Sequence, residues 1–142
     1  MQETRLEGLS LFRSLTPEEK SELEALLEPV SFGAGEAIFE EGGPEEHLHV
    51  LTSGTVEVHK EVFSGRQQHL STIEAPAVVG EMGLVTEPRA AVTVTAKGPV
   101  EARRLPREVF LEKLESGSGM VYKVAYEIGR TSPRRWLKPT SP

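Results

Sequence analysis

The stretch Val50-Leu51-Thr52-Ser53-Gly54-Thr55-Val56-Glu57-Val58 decides the fold of this chain. Apolar and β-branched residues flank a single Ser-Gly step, which reads as two short strands joined by a tight turn. Glycine suits that step because it takes a positive φ without a Cβ clash. The same punctuation runs outward in both directions. Upstream come Ser31-Phe32, Ala37-Ile38-Phe39 and His49-Val50-Leu51, separated by Gly33, Gly35 and Gly42-Gly43. Downstream, after a turn at Ser64-Gly65, further strands are expected at 70–73, 78–79, 91–96 and 100–105. Strands this short, with turns this frequent, predict an antiparallel jelly roll or sandwich and not a parallel α/β sheet.

Helices flank the strands. Leu6, Leu9 and Phe12 fall at helical spacing and predict a short helix over 6–12. A second helix starts at Thr16, an N-cap type, with Pro17 at the first position and Glu18 and Glu19 in the first turn. Leu23, Leu26 and Leu27 form its apolar stripe, and Pro29 stops it. Helical pattern returns over 106–114 and, after Gly117-Ser118-Gly119, over 120–128. The expected plan is mainly β with flanking α-helices, in one domain over residues 1–131. Residues 132–142 are expected to be a flexible tail, with no further domain after them.

Composition narrows the chemistry. The chain has 142 residues, enough for one real core, and a net charge of -6, which disfavours a general nucleic-acid role. All 22 acidic residues are Glu; Asp, Asn and Cys are absent. Asp-dependent triads, the usual calcium loops, disulfides and zinc–thiolate sites are thereby excluded. No dinucleotide fingerprint or P-loop occurs. No apolar run approaches the roughly 18–20 residues of a membrane span, and the N-terminus lacks a signal-peptide pattern. A soluble, cytoplasmic, non-enzymatic protein is expected.

The functional signal lies in Gly80-Glu81-Met82-Gly83-Leu84-Val85-Thr86-Glu87-Pro88-Arg89-Ala90-Ala91. Within one turn of chain it offers backbone N–H groups, a cation and a carboxylate. Those groups suit a cyclic phosphate and a ribose hydroxyl. With the strand–Gly–strand unit, and with Ile38-Phe39-Glu40-Glu41-Gly42 placing Gly42 twelve residues before Gly54, the chain resembles the cyclic-nucleotide-binding domain family. That family includes bacterial catabolite activators and protein kinase regulatory subunits. The resemblance covers roughly residues 9–129.

The resemblance implies an antiparallel double-stranded β-helix, the β-roll, and a phosphate-binding cassette. Glu81 would accept from the ribose 2′-hydroxyl, and Arg89, after Pro88, would pair with the phosphate. Ala90 and Ala91 would add N–H donors, with Gly80, Met82 and Gly83 around the sugar and phosphate. Tyr122 and Tyr126, on the last helix, are possible base-capping residues; a stripe packing on the roll or on a partner is the other reading. Arg89 follows Glu81 by eight residues, closer than the family usually has it. Two alignments stay open: a shortened loop that leaves Arg89 as the phosphate ligand, or an ungapped one that puts Ala90 in its place.

The small Ala90 after Arg89 resembles cAMP-preferring members more than cGMP-preferring ones. The expected function is a stand-alone cyclic-nucleotide sensor, signalling through its C-terminal helices to a protein effector or a homodimer, bacterial in style, without direct DNA or membrane binding and without a cofactor beyond the nucleotide. A degenerate module that keeps the roll and binds no nucleotide is the main alternative. A cupin-type metalloenzyme is the distant one, prompted by His47 and His49 at i,i+2. The Glu a cupin would want after the second His is missing, since Leu51-Thr52-Ser53 stand there.

Overall fold

A computed structural model describes residue 6 and residues 9–131. Among these residues, eight strands form two antiparallel four-stranded sheets. They are β1 (Glu28–Phe32), β2 (Ala37–Phe39), β3 (His47–Ser53), β4 (Thr55–Glu61), β5 (Gln67–Glu74), β6 (Ala77–Val79), β7 (Thr93–Ala96) and β8 (Val100–Pro106). One sheet has the order β1-β8-β3-β6 and the other β2-β7-β4-β5. This is the double-sheeted β-roll expected from the glycine-spaced strands. Gly54 turns β3 into β4 at φ +102°, where an added Cβ would stand 2.5 Å from the Pro99 carbonyl oxygen. Only glycine fits that step.

Strand alternation divides the core in two. On β3, Leu48 and Val50 face the helices, while Leu51 joins Val56, Val58, Val79, Val94 and Ala102 inside the roll. Among the described residues the α-helices are α1 (Pro17–Leu26), α2 (Met82–Val85), α3 (Arg107–Glu115) and α4 (Gly119–Thr131). Met120, Val121, Val124 and Ile128 of α4 pack in the same apolar cluster as Phe12, Leu23 and Leu84. Among the described residues no helix is long and apolar enough to cross a membrane.

Thr16 opens α1 with a complete capping box. Its hydroxyl accepts from the Glu19 N–H at 3.1 Å, and Glu19 accepts from the Thr16 N–H at 2.9 Å. Lys123 of α4 also donates to Glu19, at 2.7 Å, tying the first and last helices together. Hydrogen bonding from Lys123, followed by that of the Thr16 backbone, holds the Glu19 carboxyl below its ordinary range. Thr16→Ala is expected to cost about 1 kcal/mol in urea unfolding.

Two local expectations need revision. The helix expected over 6–12 is, among the described residues, a 3₁₀ turn at Ser10–Phe12, yet Leu6 and Phe12 are fully buried. Pro29 follows the Leu27 C-cap of α1 and also lies within β1, an edge strand where a missing N–H is tolerated. β7 begins at Thr93, and residues 88–90 pair with the first roll turn instead. Gly42 N–H donates to the Ala90 carbonyl at 2.8 Å, Ala90 N–H to Gly43 at 2.9 Å, and Glu45 N–H to Pro88 at 2.9 Å. The tail at 132–142, with Trp136, lies outside the described residues.

Candidate functional site

β6 delivers the chain to Gly80 and Glu81, and α2 starts at the next residue. A helix of four residues cannot hold itself in water, so its neighbours must. Leu84 is fully buried in the helix-side core. Gly83 lies directly on the backbone of Glu45, and an added Cβ would run into the Glu45 carbonyl oxygen. Arg107, at the start of α3, donates from Nε to the Gly83 carbonyl at 2.9 Å and from a terminal nitrogen to Thr86 at 3.3 Å. These two bonds meet the carbonyl end of α2, where a cation is favourable.

The expected site residues fall into separate places. Gly80, Glu81, Met82 and Ala91 line one cavity with Glu45 and Phe39. Its volume is about 40 Å³, far below the roughly 300–1,000 Å³ typical of small-molecule sites. Glu81 is 2% exposed. Gly83 lies beneath, seated on Glu45. Pro88 and Arg89 line a second, outer concavity of about 480 Å³ with Glu87 and Gly42-Gly43-Pro44. Arg89 is exposed, donates to the Gly42 carbonyl at 3.2 Å and does not line the Glu81 cavity. Ala90 is the inward residue of that ribbon, 4% exposed, and its N–H is taken by Gly43.

Tyr122 and Tyr126 are 54% and 67% exposed on α4, and neither lines the cavity. The histidines have their own setting. His47 and His49 have ring centroids 5.8 Å apart, and His49 packs edge-on against Phe32. Burial, then the neighbouring His47 and Arg104, hold His49 down at about 3, so it stays neutral. Among the described residues, no group of three or more His, Cys, Asp or Glu is placed to hold a metal ion.

Three contributors to the site carry no local sequence signal. Lys60 of β4 donates to the Ala91 carbonyl at 3.0 Å and to Glu41 at 3.0 Å, which puts a cation beside the cassette. The Glu61 N–H and then Lys60 hold the Glu41 carboxyl below its ordinary range. Arg107 clamps α2. Glu45, in the turn before β3, is buried in the cavity wall. Each acts on residues far away in sequence, so no spacing rule marks it.

Glu45 has a consequence for stability. Its carboxyl is pushed up from 4.5 to about 7, by burial first and the Glu81 charge second. The unfolded chain releases this proton near 4.5, so the contribution to folding is complete below that pH and is lost as pH rises to about 7. Glu45→Gln is therefore expected to be more stable than the natural sequence at pH 8, by on the order of 2 kcal/mol. The two proteins should match at pH 4, a comparison that urea unfolding can make.

Residues 29–116 match the model of the cyclic nucleotide-binding domain. The chain belongs to the cyclic nucleotide-binding domain family. Similar proteins include cAMP-dependent protein kinase regulatory subunits. That of Blastocladiella emersonii is 27% identical over 114 residues, 80% of this chain and 28% of that protein. That of Emericella nidulans is 29% identical over 126 residues, 89% of this chain and 30% of that protein. This cyclic nucleotide-binding domain thus spans about three-tenths of the length of those relatives. In structure it is similar to the N-terminal domain of a transcriptional regulator from Streptomyces coelicolor. The TM-score is 0.78 at 25% identity, covering 89% of this chain and 90% of that one. The catabolite activator protein of Thermus thermophilus gives 0.77 at 25% identity, covering 89% and 57%.

Proposed function

We propose that this domain is a regulatory module that binds a cyclic nucleotide, cAMP in preference to cGMP, at the Gly80–Met82 cavity. The observation that carries the reading is Glu81. It is a buried carboxylate at the N-cap of a one-turn helix, at a cavity of the roll, within the segment matched to the family. A carboxylate there can accept from a ribose hydroxyl with a charge-assisted bond. Arg89 would leave the Gly42 carbonyl and turn to the cyclic phosphate, with Lys60 adding positive potential at Ala91. Ala90 brings no hydroxyl to a guanine, which supports cAMP. The names of the kinase subunits, cAMP-dependent, point the same way.

The cavity has to widen for a nucleotide, and widening supplies the signal. α2 is the movable wall, and Leu84 lies in one apolar cluster with Val124 and Ile128 of α4. A ligand that shifts α2 shifts α4 by its differential affinity for the two arrangements. Output would pass to a protein effector or a second copy through the C-terminal helices, in the cytoplasm and without catalysis. The acidic net charge fits a protein target better than DNA.

Thermal unfolding with cAMP, cGMP, and nickel or iron salts tests the reading. At about 100 times the dissociation constant, cAMP should stabilise the domain by roughly 2.7 kcal/mol. A flat response to both nucleotides at millimolar levels would support the second reading, a module that keeps the roll and binds none. That reading is favoured by the outward Arg89 and inward Ala90, the arrangement of the ungapped alignment. Stabilisation by metal alone would support the cupin alternative.

A further inference from the structure

Two carboxyl groups share the 40 Å³ cavity. Glu81 enters from the β6–α2 turn and Glu45 from the turn before β3, 2% and 8% exposed. The Glu45 side chain lies against the floor of the cassette. Its Oε2 is 3.6 Å from where a Cβ on Gly80 would stand, and its Cγ is 2.9 Å from the equivalent position on Gly83. It therefore lies against both Gly80 and Gly83, in the wall of the cavity.

The other charged groups nearby are directed elsewhere. Arg89 donates to the Gly42 carbonyl, Arg107 to Gly83 and Thr86, and Lys60 to Glu41 and Ala91. Glu46 and His47, next in the chain, line a different cavity with Arg107 and Glu108. Glu81 is the charged group that faces Glu45 across the cavity. A cyclic phosphodiester keeps its negative charge at all physiological pH values. Bringing it beside two buried carboxylates adds like-charge repulsion in a site with little water to screen it.

We propose that Glu45 gates the cassette: a cyclic nucleotide enters only when the Glu45 carboxyl, which stays in the cavity wall beside it, is uncharged, so binding takes up a proton. The gate rests on the nucleotide reading and deepens it. Burial and the Glu81 charge already hold the carboxyl at about 7, so the gate changes state close to neutral pH. Above that value, uptake of one proton per ligand lowers affinity about tenfold for each pH unit. Below it, the dependence flattens. Glu45 is thereby a determinant of affinity that the Gly80–Ala91 segment does not contain.

The test is calorimetric titration of the full chain with cAMP and cGMP at pH 6, 7 and 8, beside Glu45→Gln and Glu45→Ala. The natural sequence is expected to lose roughly fivefold in affinity between pH 7 and 8. Both variants are expected to bind with little pH dependence and more tightly than the natural sequence at pH 8. A flat profile for the natural sequence overturns the gate whether or not the variants fold. Parallel sloping profiles in all three proteins overturn it too, and leave the nucleotide reading standing. Absence of binding by every protein at every pH overturns the nucleotide reading and the gate with it.

Discussion

Gly83→Ala is expected to destabilise the domain by about 3 kcal/mol, against the usual sign of a glycine-to-alanine change in a helix. Alanine normally gains about 1 kcal/mol over glycine in a helix interior. At Gly83 the new Cβ meets the backbone carbonyl of Glu45, which cannot rotate away as a side chain end could. Either α2 lifts from the turn before β3, or that turn moves with the ribbon that joins Glu45 to Pro88. Both routes disturb buried packing around Leu84, a class of strain that costs about 1–3 kcal/mol. Gly129→Ala on the exposed side of α4 is the matched control, since its Cβ meets nothing within 4 Å. It should stabilise by up to about 1 kcal/mol. Urea unfolding of the pair checks the contrast, and similar effects at the two sites would refute the seat assigned to α2.

The second large effect concerns binding. Arg89→Ala should weaken cAMP binding ten- to a hundredfold, the loss of one charge-assisted contact of about 1.5–3 kcal/mol. Fold stability should change by no more than about 0.5 kcal/mol, because the side chain is exposed and its visible bond is to the Gly42 carbonyl. Calorimetry on the variant measures the first number and urea unfolding the second. Unchanged affinity would remove Arg89 from the phosphate site and favour the ungapped alignment, with Ala90 in the inward position.

The roll was legible because its markers are local. Gly42 and Gly54 sit at turns, the apolar residues alternate, and Thr16 with Glu19 announces a helix start three residues apart. The short helix after Gly80-Glu81 was legible for the same reason, from a Gly-Glu pair before an apolar run. The direction of Arg89 was not. It is set by pairing of residues 88–90 with residues 42–45, a partner more than forty positions away. Glu45 was hidden as well: a second Glu in a polar turn looks solvated until Gly83 is folded onto it. Tyr122 and Tyr126 form the expected i,i+4 stripe, but the wide apolar face of α4 lies on Val121, Val124 and Ile128. That face claims the packing surface and leaves both tyrosines outside.

The claim that the Gly80–Ala91 cassette holds a cyclic phosphate is tested most directly by calorimetric titration of cAMP into the full chain at pH 6. Saturable binding at one site per chain, weakened at least tenfold in Arg89→Ala, is the predicted result. No saturable heat with either cAMP or cGMP up to millimolar concentration would contradict it.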